Sequence, residues 1–184
     1  MKTAALVSVL ALSAPALATS PTTIVNTAKN VWLMIEKNRP TVGVRDSFAC
    51  ALPAEAKDWR ELSGWSGPES SEHRLQAVDA FGATVADVRY AVVREWGGSR
   101  GGKGKYLANV AVIPLRVEAA WGYDVDVSVG VSGVVNAGTA EDPVAAMILE
   151  LRWSISSALR REEGRDAFYL RGDGTLRALA SDEK

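Results

Sequence analysis

Tyr123-Asp124-Val125-Asp126-Val127-Ser128-Val129-Gly130-Val131-Ser132 is the stretch that decides how this chain is read. Valine returns at every second position, with aspartate, serine or glycine between. Successive side chains of an extended chain point to opposite faces, so this pattern predicts a strand with one apolar and one polar face. The pattern continues to Val135. A polar turn follows over Asn136 to Pro143, and then Met147, Leu149, Leu151, Trp153 and Ile155 alternate with Glu150, Arg152, Ser154 and Ser156. That is a second half-buried strand.

On the other side, Tyr106 to Trp121 is apolar on both faces near Ala111 to Leu115, as a strand covered from both sides would be. Gly122 allows the turn between it and the valine strand. Residues 97–105, Gly-Gly-Ser-Arg-Gly-Gly-Lys-Gly-Lys, read as a flexible basic loop. Glu162-Glu163-Gly164 reads as a turn. Ala167 to Leu179 reads as a last strand broken by a tight turn or bulge at Gly172-Asp173-Gly174.

The N-terminal half reads differently. Ser20-Pro21 has the form of a helix start, and Ile24, Val25, Ala28, Val31, Trp32 and Ile35 make a helical stripe that Pro40 ends. A helix over 21–38 is the expected cover for the apolar sheet face. Part of Thr41 to Leu52 alternates as a strand would. Pro53 to Leu62 reads as a short helix and Ser63 to Ser71 as a loop. Ser71 to Trp96 fits a helix in its first half and a strand in its second. The expected fold class is therefore α+β: an N-terminal helix or helices packed on a curved antiparallel sheet of four to five long strands. If Ser71 to Trp96 is strand throughout, an all-β sandwich or partly open barrel follows instead.

The chain has 184 residues, 47% of them hydrophobic, and carries 21 basic and 22 acidic side chains for a net charge of −1. It has no basic field to attract nucleic acid. A single cysteine, Cys50, forbids an intrachain disulfide, and its apolar neighbours predict burial. The single histidine, His73, removes paired-histidine metal motifs, and its polar neighbours predict a solvated ring. No metal site and no cofactor are predicted. Lys2, the apolar run Ala4 to Leu12 and the tripeptide Ala16-Leu17-Ala18 have the form of a secretory signal peptide over 1–18, leaving one domain over 19–184. No apolar run reaches the length of a transmembrane helix. The expected location is the periplasm or exterior of a bacterium.

Among candidate sites, Gly97 to Lys103 approaches a phosphate-binding loop, but Gly104 stands where a magnesium-ligating Ser or Thr is needed. Arg171-Gly172-Asp173 is a cell-adhesion tripeptide that also suits a turn. Six tryptophans are available for packing or for stacking on a ligand. The polar sheet face is the remaining candidate. There Asp124 and Asp126 share a face with Glu150 and Arg152 of the next strand, and these four are the predicted ligand-binding residues. The expectation is an exported non-catalytic binding or assembly protein with an envelope protein or glycan as partner. Two other readings are a hydrolase of envelope glycans using Asp124, Asp126 or Glu150, and a carrier of a small ligand or lipid.

Overall fold

A computed structural model of the chain describes residues 23–26, 31–41 and 48–179. Among them every regular element is a strand except one 3-10 turn at Trp59–Glu61. The strands are β1 (Ile24–Asn26), β2 (Val31–Glu36), β3 (Arg39–Pro40), β4 (Ala49–Pro53), β5 (Ser66–Val78), β6 (Thr84–Arg100), β7 (Lys103–Ala119), β8 (Tyr123–Asn136), β9 (Ala145–Ser157), β10 (Arg161–Arg171) and β11 (Leu176–Leu179). They form two antiparallel sheets, ordered β1-β4-β7-β6-β5 and β11-β10-β9-β8-β2-β3. The α+β expectation is thus wrong, and the all-β alternative fits.

The predicted helix over 21–38 is replaced, where described, by β1, β2 and the turn that follows β2. Its misreading has a physical cause. Trp32 and Met34 are buried and Leu33 between them is 43% exposed, as a strand requires. A bulge between Leu33 and Ile35 then turns Ile35 inward as well, to 0% exposure. One extra residue in the ladder makes the apolar spacing Trp32, Ile35 look helical. The end of the expected helix is a two-residue hairpin turn, with Lys37 and Asn38 at φ 44° and 66°. Pro40 then falls on the two-residue edge strand β3, where a missing N–H costs the ladder little.

The other helical expectations fail similarly. Ser71 to Trp96 is strand on both sides of a turn at Asp79 to Ala83, and the expected loop from Ser63 enters β5 at Ser66. The short helix over 53–62 shrinks to the 3-10 turn, which Asp58 caps by accepting from the Arg60 N–H at 2.9 Å. The basic loop over 97–105 is mostly strand, with Gly101 and Gly102 at its tip. Glu162, Glu163 and Gly164 lie within β10, and the turn stands earlier, where the Ser157 N–H donates to the Arg160 carbonyl at 2.7 Å. Three expected turns are present, at Gly122, at 137–144 and at Gly172 to Gly174.

The core is the space between the sheets. Val88, Val92, Leu107, Val110 and Val112 of the first sheet meet Met34, Val125, Val129, Leu149 and Leu151 of the second, all at 0% exposure. The alternating valines of β8 therefore bury the face expected of them. Cys50 is 1% exposed in β4, within this core, as its neighbours predicted. Burying the apolar faces of two sheets against each other is the main stabilising contribution, at roughly 25 cal/mol for each Å² removed from water. The predicted cleavage site lies outside the described residues.

Candidate functional site

Register fixes what shares the outward face of the second sheet. Leu33 stands opposite Ser128, Ser128 opposite Arg152, and Arg152 opposite Arg165, one row across β2, β8, β9 and β10. The next row sets Asp126 against Ser154 and Ser154 against Glu163. A groove of about 680 Å³ runs over these rows. Gly164 shapes it from below, because the Trp153 indole lies so close against β10 that any side chain at Gly164 would collide with it.

Of the four residues predicted from sequence, Asp126, Glu150 and Arg152 line this groove and Asp124 does not. Two arginines directly opposed on neighbouring strands repel each other. Glu150 offsets that repulsion: it accepts from Arg152 Nη2 at 2.7 Å, and Arg165 Nη1 stands 3.7 Å from its other oxygen. The Glu150 side chain is only 15% exposed, whereas those of Arg152 and Arg165 are 69% and 63% exposed. The triad is left with one net positive charge facing the groove. Arg161 and Glu163, a neutral pair on β10, extend the charged surface.

Asp126 has a different task. It accepts the Lys37 N–H at 3.0 Å and so holds the β2–β3 turn against β8. Each groove carboxylate that the hydrolase reading would use is already engaged, Glu150 by guanidinium groups and Asp126 by a turn amide. Sequence reading misses Arg161, Glu163 and Arg165, whose spacing of two is itself a strand signal, because Glu162-Glu163-Gly164 has the composition of a turn.

A second polar cluster lies between the sheets, near the edge formed by β5. His73 stacks on Tyr90 at 5.6 Å and tilts against Phe168 at 4.5 Å between centroids. The Ser71 hydroxyl is 3.1 Å from His73 Nε2. This ring is half-buried, contrary to the solvated histidine expected. Burial lowers its pKa below the ordinary 6.5, and the negative charge of Asp166 partly opposes that shift. Tyr90 is raised well above its ordinary value, first by burial and then by the charge and hydrogen bond of Asp166. The neutral phenol is the form held here.

Among the described residues no helix is long and apolar enough to cross a membrane. Among them, too, no three His, Cys, Asp or Glu side chains gather closely enough to hold a metal ion. Comparison of the chain with family models, with curated proteins and with solved structures finds no match.

Proposed function

We propose that the protein is an exported, non-catalytic binding protein of the bacterial envelope, and that its ligand lies along the outward groove of the second sheet. The observation that carries the reading is the Arg152–Arg165 pair, opposed across β9 and β10 over a single clasped Glu150. Guanidinium groups recognise carboxylate and phosphate through paired N–H donors, so a ligand bearing such anions among hydroxyl groups suits the site. An acidic envelope glycan has that chemistry. The Ser128 hydroxyl and the apolar Leu33 stand in the same row.

The test uses purified peptidoglycan and lipopolysaccharide as probes, with wild type and the double variant Arg152→Ser, Arg165→Ser. Wild type binds at least one probe, and the double variant loses that binding while melting within a few degrees of wild type. Failure of wild type to bind either probe, or equal binding by the variant, refutes the reading. Export rests on Lys2, the apolar run and Ala16-Leu17-Ala18. Intact mass of the envelope fraction is expected to show a chain beginning at Thr19, and retained Met1 refutes it.

A further inference from the structure

Among the described residues three large apolar side chains stand almost wholly in solvent: Phe81 at 96%, Trp121 at 100% and Leu159 at 99% exposure. Each occupies its own turn, between β5 and β6, β7 and β8, and β9 and β10. The register pairs Val78 with Thr84, Ala86 with Ala119 and Tyr123 with Ser157, which puts all three turns at one end of the sandwich. The Ala120 N–H donates to the Val85 carbonyl at 2.9 Å and ties the second turn to the base of the first.

None of these turns is a loose loop. Asp79 Oδ1 accepts the N–H groups of Phe81 and Ala83, both at 2.9 Å. The Ser157 hydroxyl accepts those of Leu159 and Arg160 at 3.4 and 3.2 Å. The Tyr123 N–H closes the middle turn on the Ala120 carbonyl at 3.1 Å, with Gly122 at φ 81°. The fold thus spends ordered hydrogen bonds on presenting apolar groups to water. A cavity of about 260 Å³ opens between Phe81 and Leu159, walled by Val78, Val85 and Ile155, with Arg160 at its rim.

We propose that this end of the sandwich is a docking surface for a lipid bilayer, into which Phe81, Trp121 and Leu159 insert. A protein partner would bury one contiguous packed patch, whereas here three side chains project almost wholly into solvent from three separate turns, two of them with an open cavity between them. A fluid bilayer takes separate projections without shape complementarity, and tryptophan favours the interfacial level. Arg160 pairs with Glu162 beside Leu159, and Asp79 stands in the Phe81 turn, so the charges around the cavity are of both signs and match zwitterionic headgroups better than purely anionic ones. The cavity beside Phe81 and Leu159 gives room for a segment of one acyl chain. This surface is separate from the outward groove, so the two can be tested apart.

The experiment is co-sedimentation with vesicles of phosphatidylethanolamine and phosphatidylcholine, and with vesicles that also contain anionic phosphatidylglycerol, at low and high salt. It compares wild type with the triple variant Phe81→Ser, Trp121→Ser, Leu159→Ser, both with the same N-terminus. Wild type sediments with the vesicles at either salt concentration, because insertion rather than net charge drives binding. The triple variant partitions on the order of a hundredfold less, since three buried apolar side chains are lost. If the triple variant fails to fold, the single variants Trp121→Ser and Leu159→Ser take its place, each expected to weaken partition. No sedimentation of wild type overturns the proposal, as does undiminished sedimentation of the variants. Binding confined to anionic vesicles and abolished by salt overturns it too. So does self-association of wild type, lost in the variant, without vesicle binding; that outcome makes a second copy of the chain the occupant.

Discussion

The Tyr90 hydroxyl donates to Asp166 Oδ2 at 3.0 Å, from β6 of one sheet to β10 of the other. The Tyr90 ring is 2% exposed, and the two residues are 76 apart in sequence, so a polar bond pins the two apolar layers together at this point. Removing only the hydroxyl, as Tyr90→Phe, keeps the ring packing and leaves the carboxylate without this donor. The expected loss is about 1.5–3 kcal/mol, the range of hydrogen bonds to charged acceptors. Denaturant unfolding checks it, and a loss below about 0.3 kcal/mol would show the bond to be idle.

Acid is expected to weaken the fold through His73. Burial holds its folded pKa below the unfolded value of 6.5, so the unfolded chain takes up the proton more readily. The sign follows: this contribution is fully present above about pH 6.5 and declines as pH falls below it. Thermal melting at stepped pH measures the slope. His73→Phe should flatten it between about pH 6.5 and the lowered folded pKa, and an unchanged slope would remove His73 as its source.

Asn38 and Asp126 both serve the β2–β3 turn. Asn38 sits at φ 66°, accepts the Val125 N–H at 2.7 Å and donates to the Tyr123 carbonyl at 2.9 Å. Asn38→Ala loses both bonds and forces a Cβ-bearing residue without a compensating side chain into the left-handed region, at about 2 kcal/mol. Asp126→Ala loses the single amide bond from Lys37 and is expected to cost about 0.5–1 kcal/mol. Asp124 is exposed, and Asp124→Ala should stay within about 0.5 kcal/mol. The ranking Asn38, Asp126, Asp124 is the checkable outcome in chemical denaturation, and any inversion contradicts it.

Cys50 should react slowly with a thiol reagent in the native protein and rapidly after unfolding, since it is 1% exposed. Labelling at a single rate in both states would contradict its burial.

Strands whose alternation is unbroken were legible in the sequence. The valines of β8 and the Met147-to-Ile155 pattern of β9 gave both the strands and the parity that places Asp126, Glu150 and Arg152 on one outward surface. Where the ladder is irregular, the pattern misled. The bulge at Leu33 to Ile35 disguised β2 as a helix, and in the β5–β6 hairpin Leu75, Val78, Phe81 and Val85 kept helical spacing while their side chains went to different environments. Leu75 and Val85 are buried, Val78 is 50% exposed and Phe81 stands at a turn tip. The His73 environment was illegible for another reason: Tyr90, Asp166 and Phe168, which define it, are distant in sequence and meet it through the pairing and stacking of sheets. Groups brought together by long-range topology leave no local periodicity to read.

The placement of β2 and β4 has a consequence for the order in which this chain acquires structure. β4 pairs with β1 and β7, and β2 pairs with β3 and β8, so the opening strands find their central partners only in residues 103–136. The later strands are joined mostly as successive hairpins, β5 to β6 to β7 and β8 to β9 to β10 to β11. Local hairpins close before distant segments find each other. As the chain emerges from a ribosome, β4 must wait for β7 and β2 for β8, with only the short strands β1 and β3 available to pair with them earlier. The first segments out are therefore among the last to gain their full set of neighbours, and a stall before β8 leaves the apolar side chains of β2 exposed to aggregation.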